Sequence, residues 1–155
     1  MASTVKAKTL RVTIQEDIVL NGTNYGSKNK INIPSVNEVV KRVVTVPASE
    51  VELIAIGTAV ASGTFIEGDV RYIRITNLDD TNHIVLTFKD EDDTEFAIKV
   101  DAGHSFIYPG DNSGGVVDTM HAGGSALSVS LNDLVNITAL ADTAACDVEI
   151  FVASV

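Results

Sequence analysis

The stretch Val70–Phe106, VRYIRITNLDDTNHIVLTFKDEDDTEFAIKVDAGHSF, decides the fold. Within it Arg71–Thr76 points Ile73 and Ile75 to one side, and His83–Phe88 does the same with Ile84, Leu86 and Phe88. Glu95–Asp101 sets Phe96, Ile98 and Val100 against Glu95, Lys99 and Asp101. A period of two marks strands with one buried face. The links Asn77–Asn82 and Lys89–Thr94 are short and polar, which predicts antiparallel hairpins, and Asp101–His104 is a turn before Ser105–Tyr108.

The same alternation recurs on both sides of this block. Thr9–Gln15 separates Leu10, Val12 and Ile14 from Arg11 and Thr13. Val39–Val46 is valine-rich, too apolar on both faces for a half-exposed strand, and Val51–Ile56 follows Pro47. Downstream, Ser125–Leu131 aligns Leu127, Val129 and Leu131, and Leu134–Leu140 and Cys146–Val152 complete the set. Val36–Arg42 and Ser49–Ile56 fit strand or a single turn better than helix. About nine or ten strands at this spacing predict an all-β, antiparallel two-sheet sandwich, with the jelly roll as one form of it. Residues 1–8 are expected to form an N-terminal arm and 9–155 a single sandwich domain.

Composition narrows the function classes. The 155 residues are 45% hydrophobic and 21% charged, the make-up of an ordered domain large enough for a real core. No apolar run reaches the length of a membrane span, so no membrane partner is expected. The one cysteine, Cys146, cannot form an internal disulfide and alternates in phase with Val148, Ile150 and Val152, as a small buried hydrophobe would. The net charge of −10 disfavours nucleic acid as a partner.

The charge is unevenly distributed. Residues 1–42 carry seven Lys and Arg against three Asp and Glu, a net +4, and the remainder carries four against eighteen, a net −14. Lys6, Lys8, Arg11, Lys28 and Lys30 therefore form a candidate docking surface for an acidic neighbour, another copy of the chain included. Alternatively, folding mixes the two halves in space and the asymmetry carries no meaning.

No catalytic, cofactor or metal site is expected. Gly110–Gly115 resembles the Gly-Asp-Ser-Gly-Gly run of chymotrypsin-like proteases, but an Asn is inserted and no histidine accompanies Ser113 as a base. His83, His104 and His121 are far apart in sequence, and Asp118 with His121 is a common spacing. The acidic run Asp90–Glu95 lacks the glycine and distal glutamate of a calcium loop and reads as a solvated turn, like Asp79 and Asp80. Phe88, Phe96 and Phe106 fall on the apolar face and read as core, whereas Tyr25 and Tyr108 sit beside turn residues at exposed positions. Asn21-Gly22-Thr23 and Asn136-Ile137-Thr138 match the glycosylation triplet, without any sign of secretion.

The segment Val70–Asp79, followed by Phe96–Phe106 with its Ala102-Gly103-His104-Ser105-Phe106 ending, resembles a pattern in small virion proteins of tailed bacteriophages. Asp17–Gly22 is similar to a stretch in the same proteins. The resemblance spans about half of the chain and carries no catalytic residues. It implies a non-enzymatic structural protein of the virion, assembled in the bacterial host cytoplasm. The first expectation is a capsid decoration (cement) protein that docks on the major capsid protein and stabilises the head. A tail- or fibre-associated protein, or a carbohydrate- or receptor-binding sandwich, is the alternative. A homo-oligomer, with a trimer to match three-fold lattice sites, is the expected form.

Overall fold

The computed structural model describes residues 4–108, 113–121 and 126–155. Among them are thirteen strands and no helix. Five strands form one sheet in the order β10-β9-β12-β6-β7: Glu95–Val100, Ile84–Asp90, Leu134–Ala141, Val51–Gly57 and Thr64–Ile66. Four form a second sheet in the order β11-β8-β13-β5: Ser105–Tyr108, Val70–Asn77, Cys146–Ser154 and Glu38–Val46. Pairing is antiparallel throughout, except that β7 runs parallel to β6.

The predicted inward faces meet between these sheets. Ile73, Ile75, Ile84, Leu86, Cys146, Val148 and Ile150 are buried there with Val46, Ile54 and Ile137. Branched side chains of this kind fill a sandwich core at crystal-like density, and their burial dominates its stability.

The four-stranded sheet is covered on its outer face as well. β1 (Lys8–Glu16) pairs with β4 (Ser27–Val36), and the resulting hairpin lies over that face. Ile33 and Val36 are buried against Tyr72 of β8 and Ala153 of β13, with Leu10, Val12, Ile31, Ile107 and Phe151 packed around them. This second cluster explains why β8 and β13 are apolar on both faces. Pro34, which cannot donate to a ladder, sits at the register shift between the pairs Lys8–Val36 and Leu10–Ile33. Ser35 takes φ 63° beside it.

Four expectations are corrected. Ser125 lies outside the described residues, and Ala126–Leu131 forms no strand. Both neighbours of β12 are already taken, by β9 and β6, so the alternating run does not pair beside the strand that follows it. Val129 is therefore fully exposed, at 102%. Second, Asn77–Asn82 is an arch between sheets and not a hairpin, because β8 and β9 belong to different sheets. Buried Asn77 shapes the arch: its Nδ2 donates to Asn82 O (2.8 Å) and Val100 O (3.3 Å), and its Oδ1 accepts from Asp79 N (3.1 Å). Third, Phe96 is 41% exposed, since β10 is an edge strand with no neighbour beyond it. Fourth, Val39–Val46 is also an edge strand, and Val39 and Val43 face solvent.

Candidate docking surface

The hairpin is the feature that leaves the body. Leu10, Val12 and Ile33 press onto the sheet, but every residue from Gln15 to Gly26 is exposed apart from partial cover at one position near the tip. At the far end β2 (Val19–Leu20) and β3 (Thr23–Asn24) continue the ladder around Asn21-Gly22. Those two residues have φ values of 50° and 81°, both in the left-handed region that a tight two-residue hairpin turn demands. Gly26 admits no side chain, because a Cβ there would lie 2.4 Å from Glu16 O.

The tip is apolar. Ile18, Val19, Leu20 and Tyr25 are exposed, Val19 by 65% and Tyr25 by 64%. No sequence expectation singled out this cluster. The readable signal was Asn-Gly flanked by Ile18-Val19-Leu20, a strong short-range mark of a hairpin.

The stem is basic on its outward face. Arg11 pairs with Asn32, Thr13 with Lys30, and Gln15 with Lys28. Opposed residues of an antiparallel ladder point the same way. Arg11, Lys28 and Lys30 therefore share the face opposite Leu10, Val12, Ile31 and Ile33, and all three are exposed. Lys6 and Lys8 sit apart, at the hairpin base, in a shallow groove with Val36 and Val39.

A second feature lies at the sandwich edge between β10 and β11. Ile73, Phe88, Phe96, Phe106, Met120 and Leu134 line an apolar slot of ≈ 90 Å³. Phe96 stacks on Phe88 with centroids 4.9 Å apart, and Phe106 tilts onto the same ring at 4.8 Å. Tyr108, expected at the surface, is half-buried instead and donates its hydroxyl to Gly115 O (3.1 Å).

Acidic residues cluster in the turn before β10. Glu91, Asp92 and Asp93 form the turn that leads into β10, whereas Glu95 lies on the strand face opposite Phe96 and meets Lys89 (3.8 Å). Asp90 is the buried anchor of that turn. Its carboxylate accepts from Thr94 N (2.8 Å), Thr94 Oγ1 (2.5 Å), Asp92 N (3.1 Å) and Asn132 Nδ2 (2.8 Å). Burial alone would raise its pKa, but these donors outweigh burial and hold it below the usual carboxylate value. At the same end Glu67 is raised, by burial first and then by the charges of Asp133 and Glu91.

Elsewhere the outer face is closed by ion pairs. Glu149 meets Arg74 (2.6 Å) and Lys41 (3.3 Å), and hydrogen bonds from both cations lower its pKa. Among the described residues no three His, Cys, Asp or Glu side chains converge on a point where a metal could sit. His83 meets Asp142 (3.5 Å) and His104 meets Ala102 O (2.8 Å). Of the Gly110–Gly115 run, residues 110–112 lie outside the described part.

No family model matches this chain, and no curated protein matches it. Among solved structures it is similar to a protein of Bacillus endospore appendages, described as a novel family of disulfide-linked pili. The two are 13% identical over 99% of this chain and 91% of that one, with a TM-score of 0.44, a likeness too distant to carry a functional argument.

Proposed function

We propose that this chain is a non-enzymatic structural subunit of a tailed-phage particle, a head decoration protein, that docks on its neighbours through the Lys8–Val36 hairpin. The single observation that carries the docking part is the free apolar tip. Exposed apolar surface is worth about 25 cal/mol per Å² when covered. Four such side chains gathered at the end of a projecting arm are the usual mark of a surface made to be buried in a partner. The basic stem suits an acidic lattice such as a major capsid protein could present, and a trimer fits a three-fold site on it. The phage assignment rests on the resemblance of Val70–Asp79 and Phe96–Phe106.

The test is quantitative mass spectrometry on tailed particles purified from the host that carries the gene, with heads and tails separated. The reading expects the chain in many copies on heads. A tail-associated role would place it with tails, and absence from both would refute a virion role.

A further inference from the structure

We infer that Asn21, at the apex of the projecting hairpin, is a site of spontaneous deamidation, in which its side-chain amide is exchanged for a carboxylate after attack by the Gly22 backbone nitrogen. The effect on docking rests on the reading above; the chemistry at Asn21 does not.

The turn favours this reaction on several counts. Asn21-Gly22 is the only Asn-Gly pair in the chain. Gly22 has no Cβ to shield its nitrogen, and a Cβ built there would meet nothing within 4 Å, so the attack is open. Among the described residues no hydrogen bond engages the Asn21 side chain or the Gly22 nitrogen. Other asparagines are held: Asn24 accepts from Gly26 N (2.8 Å), Asn77 Nδ2 donates to Asn82 O (2.8 Å), and Asn132 Nδ2 donates to the Asp90 carboxylate (2.8 Å). The tip itself is lightly tied. Two residue pairs, Val19–Asn24 and Leu20–Thr23, form its ladder, and all four residues are exposed. A segment without buried contacts opens at small cost. Asn21 can therefore leave its φ of 50° for the extended backbone in which the Gly22 nitrogen reaches its Cγ.

The chemistry needs only water. The Gly22 nitrogen gives up its proton and bonds to Asn21 Cγ, the bond from Cγ to the side-chain nitrogen breaks, and that nitrogen leaves as ammonia. Water then opens the resulting succinimide. Addition at Cγ gives aspartate. Addition at the main-chain carbonyl gives isoaspartate, in which the backbone runs through Cβ and Cγ. Nothing is oxidised or reduced. Because the attacking nitrogen must lose its proton, the rate rises with pH.

Both products change the tip. Each puts a carboxylate beside exposed Val19 and Leu20, and covering a charge against a partner costs far more than covering an amide. Isoaspartate also lengthens the main chain inside a two-residue turn, so Leu20 and Thr23 no longer stand opposite each other. Deamidation thus ages the docking hairpin and leaves the sandwich intact.

The test follows the purified full chain in warm, mildly alkaline buffer, folded and in urea, by peptide mass spectrometry with fragmentation that separates aspartate from isoaspartate. Asn21 in the folded chain is expected to convert within about tenfold of its rate in urea, whereas Asn77 and Asn132 are slowed by more than that on folding. The isoaspartyl fraction, isolated by chromatography, is expected to lose the cross-strand Overhauser contacts between Leu20 and Thr23, and Asn21→Asp, which adds the charge alone, is expected to keep them. Folding that slows Asn21 by more than about tenfold, or conversion of Asn77 or Asn132 as fast as Asn21, would overturn the inference. Retained contacts in the isoaspartyl form would overturn the ageing of the hairpin. An Asn21 that stays intact leaves the docking reading standing, and absence of the chain from particles leaves the Asn21 chemistry standing, because the isolated chain reports it.

Discussion

Asp90→Asn separates the charge of one buried carboxylate from its shape. In the folded chain Asp90 accepts four hydrogen bonds, from Thr94 N, Thr94 Oγ1, Asp92 N and Asn132 Nδ2. An asparagine keeps an oxygen for the two backbone amides, and the Thr94 hydroxyl can rotate to accept from the new amide. The Asn132 amide is left facing another donor, and every remaining bond loses its charge assistance. Losing one charge-assisted bond at a buried site costs about 2 kcal/mol at pH 7. For a chain of this size that lowers the melting temperature by about 4–8 °C. The sign with pH follows from the lowered folded pKa. Such a group adds stability above its unfolded value, and the contribution is lost as pH falls through the folded value. Urea denaturation of both proteins at pH 7 and at about pH 2 is the assay. The difference should be near its full size at pH 7 and should shrink towards zero in acid, where the wild-type carboxyl is protonated too. An equal difference at both pH values, or none at pH 7, would refute the idea that charged acceptance by Asp90 holds the acidic turn.

Three further outcomes follow from the packing. Ile33→Ala should cost about 3 kcal/mol, and, because β1 and β4 pair only with each other, hydrogen exchange should accelerate within Lys8–Val36 far more than in β9 or β12. Gly115→Ala should lower the melting temperature steeply, since a Cβ there would lie 2.0 Å from Glu67 O at φ 67°, whereas Gly63→Ala, with open space around it, should suffer only backbone strain. Glu67→Gln should stabilise the protein at pH 7 by less than about 1 kcal/mol and change nothing near pH 3, because a raised folded pKa makes the charged form the unfavourable one; equal melting curves at pH 7 would contradict this.

Much of the sandwich was legible because one rule governs it. Where a strand has neighbours on both sides and one face on the core, as β9 does, alternation alone places Ile84, Leu86 and Phe88 correctly. The rule fails where pairing is decided by the rest of the chain. Leu127 and Val129 alternate as well as any strand, yet they pair with none, and both are exposed. Phe96 belongs to an inward pattern but sits on an edge. β4 was missed because Lys28, Asn29, Lys30 and Asn32 carry no apolar stripe of their own, and its two isoleucines find their place only against Tyr72 and Phe151. The candidate surface was half-readable. The basic residues could be counted, but the ladder that puts Arg11, Lys28 and Lys30 on one face and leaves Lys6 and Lys8 at the base is a matter of register. The Asp90 turn read as solvated because neighbouring acidic residues do stay in water; only the fold shows which one turns inward.

The docking claim is tested most directly by hydrogen exchange on the assembled form against the free chain. Amides from Asp17 to Ser27 should become protected on assembly. Unchanged exchange at the tip, with protection elsewhere, would place the working surface of this protein somewhere other than its hairpin.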